Sequence, residues 1–321
     1  MGSYRFNLDK TLSLDLSRNE LLKIRHSPKE MFWVDIEAPT ESDLKLMSEV
    51  LNFHPLAIED CIHEQTRPKI DDYEGYKLIV FHGINFNPGE HRLDTIDLKI
   101  FLGSNYIVTV HDKTLQSIAV TKSRLEKNPQ LLETGPDRIL YRILDELVDR
   151  YFSVINDLDE KLTKIENNIF ETFSKESLQQ IFSSKKEVLA LKKLVSPQME
   201  VLKTLTYRES PYISPSTQLY LRDVYDHMLR IFDTLENQRD LLSTTMDSYL
   251  SQVSNRMNEV MKALSIVATI MLPLSFLTGL YGTNFILLPG AEDPLGFWLL
   301  IAGMISVAGV MVMYFRRKKW F

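Results

Sequence analysis

Apolar positions recur along this chain with three different rhythms, and each rhythm marks a different kind of element. Over about the first 115 residues, "MFWVDIEAP", "YKLIVFHGINF" and "TIDLKIFLGSNYIVTVH" are dense in β-branched and aromatic residues and bounded by Pro, Gly and Asn, which predicts three strands. Two helical patterns lie between the first two: "TESDLKLMSEVLNF", with Thr40 placed to cap it, and "HPLAIEDCIHE". Gly89 in "NPGEHRLD" predicts the turn between the second and third strands. From about Asp137 the period becomes helical, because Ile139, Ile143, Leu144, Leu147, Tyr151, Ile155 and Leu158 recur at three- and four-residue steps with charges between them. A second helix is predicted near Ser177 to Leu205, interrupted at Pro197, and "YRESPYISPS" reads as the loop that follows.

From Ser216 to Leu272, 57 residues contain neither Gly nor Pro. One helix of that length extends about 85 Å, too long for the inside of a compact domain. Along it Met246, Leu250, Val253, Met257, Val260 or Met261, and Leu264 alternate steps of four and three, the seam of a helix that packs on other helices. Two stretches carry no charge at all: Ala263 to Tyr281, 19 residues, and Leu295 to Phe315, 21 residues. Helical runs of this length match the roughly 30 Å hydrocarbon core of a bilayer. The long helix is therefore expected to pass Lys262 and enter the membrane without a loop. The segments read as an α/β part at 1–136, a helical hairpin at 137–215, a long helix at 216–281 with its membrane part at 263–281, an outer loop at 282–294, a second span at 295–315 and a basic tail at 316–321. Two spanning helices cannot enclose a pore, so any conducted ion needs several copies around its path, with the seam as the subunit contact.

An overall apolar fraction of 44% hides this asymmetry. The second span stops at Arg316, Arg317, Lys318 and Lys319, whereas the loop between the spans holds Glu292 and Asp293 and no Lys or Arg. The positive-inside rule puts the C-terminus in the cytoplasm, and two spans return the N-terminal part to the same side. "MGSYRFNLDK" has no apolar signal region, and Phe6 stands where a myristoylation signal needs Ser or Thr. Four basic and two acidic residues follow Lys262, which leaves 33 Lys+Arg against 41 Asp+Glu and a charge of −8 before it. That balance argues against nucleic acid as a partner and leaves cations open. Cys61 is the single cysteine, so no internal disulfide forms. "HPLAIEDCIHE" gathers His54, Glu59, Asp60, Cys61, His63 and Glu64, but on a helix these point in several directions and match no metal spacing, so the stretch reads as structural. No nucleotide-binding glycine motif and no nucleophile, base and acid set stands out, and the chain does not read as an enzyme.

"NEVMKALSIVATIMLPLSFLTGLYGTNF", the two-helix hairpin, the closing "RRKKWF" and the upstream "LRDVYDH" resemble the CorA family of magnesium and cobalt transport proteins. "HPLAIEDCIHEQTRPKIDDYEGYKLIVFH" carries the resemblance into the N-terminal part, so that it covers most of the chain. The family signature Gly-Met-Asn at the end of the first membrane helix reads here as Gly282, Thr283, Asn284. The resemblance implies a funnel-shaped homopentamer, each chain an α/β N-terminal cytoplasmic domain followed by long helices and a C-terminal two-helix transmembrane hairpin in the plasma (inner) membrane, with both termini cytoplasmic. By matching position, Met261, Leu264, Ala268, Leu272 and Ser275 line the pore, Asn284 stands at its outer mouth, and Gly282 makes a tight turn at the helix end. Steps of three and four put the first five on one helical face, which agrees with that role. Pro273 removes a backbone donor within the same helix and favours a bend.

A pore of this kind suits a divalent cation. Mg²⁺ dehydrates reluctantly, and a ring of Asn284 amides holds the hydrated ion through its waters without trapping it as carboxylates would. Met261 and Leu264 form an apolar constriction that gates by dewetting. Glu292 and Asp293 concentrate cations at the mouth. The resemblance also implies regulatory divalent ions bound between cytoplasmic subunits: Asp247 matches the main carboxylate, Asp223 and Asp145 a secondary site, and Glu90 or Asp94 the partner from the neighbouring N-terminal domain. Arg316 to Lys319 correspond to a basic ring near the inner pore and also suit acidic lipid. The expected function is uptake of Mg²⁺, with Co²⁺ or Ni²⁺ also admitted, driven by the membrane potential and closed by cytoplasmic divalent ions. A Zn²⁺ transporter of the related ZntB type and a non-conducting cation sensor are the alternatives, and Thr283 in place of Met is where the choice of cation is most open.

Overall fold

The computed structural model describes residues 2–6, 12–25, 27, 30–63, 66–87, 92–128, 130, 135–171, 175–283, 289–290 and 293–320. The chain falls into two compact units, 1–245 and 246–321, and the division lies inside one long helix.

The first unit is built on a seven-stranded sheet in the order β2-β1-β3-β7-β6-β5-β4. Its strands are β1 (Gly2–Phe6), β2 (Leu12–Leu14), β3 (Met31–Glu37), β4 (Lys69–Tyr73), β5 (Tyr76–Asn87), β6 (Arg92–Gly103) and β7 (Tyr106–His111). Among the described residues, only the central pair, β3 with β7, is parallel. These two strands are buried on both faces, as their nearly unbroken apolar sequences require. On one face Phe32, Val34, Ile36, Val108 and Val110 pack with Leu21 and Ile24 of α1 (Arg18–Arg25), Leu46 and Met47 of α2 (Glu41–Glu49), and Ala57 and Cys61 of α3 (Pro55–Ile62). The other face is covered by α4 (Gln116–Lys127), α5 (Pro136–Glu171) and α6 (Lys175–Tyr207). The helix layer comes so close at Gly83 that a Cβ there would sit 2.5 Å from Leu115 Cδ1 and 2.9 Å from Leu147 Cδ2.

Under α4 lies a buried polar network. Asp35 and His111 are almost fully buried, and Asp35 Oδ1 lies 3.1 Å from His111 Nε2 while its Oδ2 accepts from Lys122 Nζ at 2.5 Å. Thr109 donates its hydroxyl to Asp35 and accepts from Trp33 Nε1 at 3.0 Å. His111 Nδ1 faces the Lys113 carbonyl at 2.7 Å. Both ring nitrogens thus meet acceptors, which calls for the doubly protonated imidazolium. Burial pushes Asp35 upward, but the bond from His111 and the charges of His111 and Lys122 carry it below the usual carboxylate range. Burial likewise pushes His111 down, and the bond and charge of Asp35 outweigh it, so the imidazole ends above its ordinary value.

Several elements depart from the pattern of the sequence. The third expected strand is two, β6 and β7, because the chain reverses at Ser104 and Asn105 inside a run dense in apolar residues. Gly103 is required there, since a Cβ would meet the Tyr106 ring at 2.4 Å. β1, β2 and β4 are outer strands, short and partly polar, and leave little periodic signal. α6 runs unbroken through Pro197. Beside the proline, Gln198 donates its side-chain N–H to the Leu194 carbonyl at 2.8 Å and to Tyr151 Oη at 2.8 Å, and the fully buried Tyr151 donates to the His82 carbonyl at 3.2 Å. This network ties α6 and α5 to β5 where the proline would have been expected to end the helix.

α7 (Pro215–Tyr281) contains the whole Gly- and Pro-free run and continues through Pro273. Pro215 occupies its first position, and the Ser214 hydroxyl accepts from Thr217 N at 3.3 Å, the usual chemistry of a helix start. Within the first unit Leu221, Val224, Met228, Ile231, Leu235, Gln238 and Leu242 are buried at three- and four-residue steps, one stripe of the helix.

The second unit holds the rest of α7 and α8 (Pro294–Arg317). Asp293 caps α8, accepting from Leu295 N at 2.9 Å, with Pro294 at the first position. Most of the large apolar side chains of both helices are exposed, among them Leu272 at 73% and Leu299 at 71%, whereas Ile266 and Phe315 are buried. Water does not tolerate two such uncovered apolar helices, each long enough to cross a bilayer, so lipid or further helices must cover them.

Candidate ion path and cation sites

Met261, Leu264, Ala268, Leu272 and Ser275 all lie on α7 and all remain exposed within the chain. Their spacing gathers them on one face, and none is consumed by packing against α8. At the end of α7 the helix closes with ordinary hydrogen bonds: Gly282 N donates to the Thr278 carbonyl at 2.9 Å, and the Thr283 hydroxyl donates to the Leu280 carbonyl at 2.8 Å. Gly282 lies in the turn that follows α7 and makes it without a positive φ. A Cβ there would lie 3.0 Å from the Thr278 carbonyl oxygen, a tight approach to backbone that glycine avoids. Asn284, Glu292 and Glu90 lie outside the described residues. Asp293 is engaged as the α8 cap, a role that its sequence position alone did not reveal.

At the other end of α8, Arg316 and Arg317 occupy the last turn and Lys318 caps it, favourable placements against the negative end of the helix dipole. Lys262 donates to the Lys319 carbonyl at 3.4 Å and lies 5.7 Å from the Trp320 ring, which packs on Phe315. The basic tail is thereby held against the start of the membrane part of α7.

Asp145 of α5 is brought together with two residues not picked out from the sequence. Asp145, Asp149 and His227 each offer a ligand atom within 4.8 Å of the others. Asp149 follows Asp145 by one helical turn, and His227 projects from α7. Asp223, one turn before His227, places a carboxylate oxygen 3.9 Å from its Nε2. The i, i+4 spacings of Asp145 with Asp149 and of Asp223 with His227 were readable in the sequence, but the pairing of the two helices was not. Burial chiefly, and then the charge of Asp149, raises the Asp145 carboxyl above its ordinary value. Two carboxylate oxygens and an imidazole nitrogen form a donor set for a divalent cation, and the nitrogen favours transition metals over Mg²⁺. Asp247 is exposed on α7, and Asp94 lies on β6 opposite Asn85.

"HPLAIEDCIHE" forms no such group among the described residues. His54 caps α3 by accepting from Leu56 N at 3.2 Å, Asp60 pairs with Lys69 at 2.8 Å, and His63 lies 3.3 Å from Glu59. Cys61 is buried, and burial pushes its thiol up to about 12.

Residues 28–317 match the family described as CorA-like Mg²⁺ transporter protein. The chain belongs to the CorA-like Mg²⁺ transporter family. It is 34% identical over 290 residues to the cobalt/magnesium transport protein CorA of Thermotoga maritima, covering 90% of this chain and 83% of that protein. The complete structure of the CorA magnesium transporter from Methanocaldococcus jannaschii superposes with a TM-score of 0.86 at 24% identity, over 99% of this chain and 98% of that one. The cytoplasmic domain of ZntB from Vibrio parahaemolyticus shares the fold at a TM-score of 0.62 and 12% identity, over 79% of this chain and 98% of that one. Membership of the CorA-like family makes α7 and α8 membrane helices and the chain a transporter rather than an enzyme.

Proposed function

We propose that this chain forms a homopentameric channel for Mg²⁺, and for Co²⁺, in the plasma membrane. The observation that carries the reading is the uncovered face from Met261 to Ser275, on a helix long enough to span, in a chain whose relative in Thermotoga maritima is a cobalt/magnesium transport protein. Copies placed around that face convert it into the wall of a path. Asn284 amides at the outer mouth hold the ion through its hydration water, and Met261 with Leu264 close the inner part by excluding water. With Asp293 committed to capping α8, Glu292 is left to concentrate cations outside. At about 100 mV, inside negative, a double charge gains about 4.6 kcal/mol on entry, so no chemical fuel is required. Both termini are cytoplasmic, in keeping with Arg316, Arg317, Lys318 and Lys319 at the end of α8. The same cluster meets anionic lipid headgroups and adds a positive ring at the inner mouth.

Uptake into liposomes under an inside-negative potential tests this. Mg²⁺ and Co²⁺ are expected to enter without a proton gradient. Flux of Zn²⁺ alone, and only with a proton gradient, would transfer the protein to the ZntB-type reading, for which the support is likeness of fold. No flux of any divalent ion would leave the sensor reading.

Cytoplasmic divalent ions close the path by bridging carboxylates of neighbouring subunits: Asp247 on α7 with Glu90 or Asp94 of the next copy, and a secondary set of Asp145, Asp149, Asp223 and His227. Ni²⁺ and Zn²⁺ compete best at the set that contains His227. Asp247→Ala is expected to move half-inhibition by internal Mg²⁺ upward about tenfold, the equivalent of about 1.4 kcal/mol of closing energy. Flux measured against internal Mg²⁺ checks this, and an unshifted curve removes Asp247 from the regulatory site.

A further inference from the structure

In the first unit a cavity of about 580 Å³ opens between the last turn of α4 and the first turns of α5. Small organic ligands occupy cavities of this size. Its buried floor is Thr121, Leu125 and Ile139, and around it stand Arg124, Lys127, Asn128, Arg138 and Arg142, with no acid among the described lining residues.

Arg124 and Lys127 sit in the last turn of α4, where the helix dipole favours them, but Arg138 is placed against local electrostatics. Arg138 lies in the first turn of α5, where the aligned peptide dipoles already present positive charge. Arg142 follows at i+4, the spacing at which like charges repel on a helix. Arg124 is paired with Glu146, but no carboxylate among the described residues is within ion-pair distance of Lys127, Arg138 or Arg142. Asp137, the acid of that first turn, is engaged elsewhere: its Oδ1 accepts from Arg138 N at 3.0 Å, and its Oδ2 accepts from Ser214 N at 2.9 Å and from the Ser214 hydroxyl at 2.7 Å. The Arg138 guanidinium is stacked 3.6 Å over the Tyr220 ring, which fixes its plane, and its Nη1 is buried without an acceptor among the described residues. A buried charged donor left unpaired is costly, and an anion in the cavity removes that cost.

We propose that this cavity binds a phosphorylated organic anion of nucleotide size. Lys127, Arg138 and Arg142 take the phosphates, the guanidinium forks matching phosphate oxygens in pairs, and Leu125 and Ile139 take the less polar part. Three cations without a carboxylate partner among the described residues call for a multiply charged ligand, and an apolar floor calls for more than inorganic phosphate. A lipid phosphate shares the headgroup chemistry, and the soluble ligand is the one that fits a closed floor.

Calorimetric titration of the full-length protein in detergent with ATP, in EDTA so that divalent ions play no part, is expected to show saturable binding that weakens with added salt. Lys127→Gln with Arg142→Gln should weaken it by about tenfold or more, with the oligomer unchanged in size, while the charge-conserving Lys127→Arg with Arg142→Lys keeps it. Adenosine and pyrophosphate should each bind at least about tenfold more weakly than ATP. The proposal is overturned if ATP fails to bind at millimolar concentration, or if the Gln variants bind it unchanged. It is equally overturned if pyrophosphate binds as well as ATP, or if soluble dihexanoyl phosphatidic acid saturates the site and ATP does not.

Discussion

Asn284→Ala is expected to lower Mg²⁺ uptake by about 100-fold or more while the oligomer stays assembled. Each subunit loses one amide that holds the ion's water, at about 1 kcal/mol per hydrogen bond, and several subunits lose it together. Initial rates of Mg²⁺ entry into liposomes, with the oligomer followed by size-exclusion chromatography, provide the measurement. An unchanged rate and selectivity would remove Asn284 from the filter. Thr283→Met, which restores the usual family signature, should change the rate far less. The Thr283 hydroxyl donates to the Leu280 carbonyl at 2.8 Å, a local bond at the end of α7, and its removal leaves the Asn284 amide ring in place.

Asp35→Ala is expected to destabilise the centre of the first unit by about 3 kcal/mol, because His111 is left as a buried cation without its carboxylate and the partly exposed Lys122 loses its partner. Amide exchange of β3 and β7 in the full-length protein should accelerate by roughly two to three orders of magnitude, while the exposed turns of α8 are unaffected. The wild-type protein carries a pH signature of the same network. His111 titrates above its ordinary value when folded, so its contribution is complete below about pH 6.5 and is lost as pH rises through the raised value. Asp35 titrates below its ordinary value, so its contribution is present above about pH 3.9 and is lost as pH falls. Protection of β3 and β7 is therefore expected to peak between those limits and to decline toward alkaline pH. In His111→Gln the alkaline decline should disappear, and its persistence would assign the pH dependence to other groups.

What was legible in the sequence follows from which signals are local. The uncharged runs, the Gly- and Pro-free helix and the "YGTNF" and "RRKKWF" segments are each contiguous, so they announce the membrane hairpin and the family without a third dimension. The central strands announce themselves because burial on both faces makes them nearly all apolar. The edge strands do not, since β4 reads "KIDDY", and its place is set by pairing with β5 rather than by its own pattern. The same holds for the hairpin at Gly103, where continuity of apolar residues masks a reversal that shows only in the pairing of β6 with β7.

For the candidate sites the division is sharper. The residues from Met261 to Ser275 were picked out in the sequence by their match to the CorA family, and the helical period alone puts them on one face. Tertiary structure decided that Asp145 and Asp149 meet His227 across two helices, and that Asp35, Thr109, His111 and Lys122 share one buried knot. It also decided that Asp293 caps α8, that Thr283 closes α7, and that cations from α4 and α5 surround one cavity. The physical reason is common to all of these. A helix period or an apolar run is fixed by neighbours along the chain, whereas a charge finds its partner through space, after burial has chosen which faces meet.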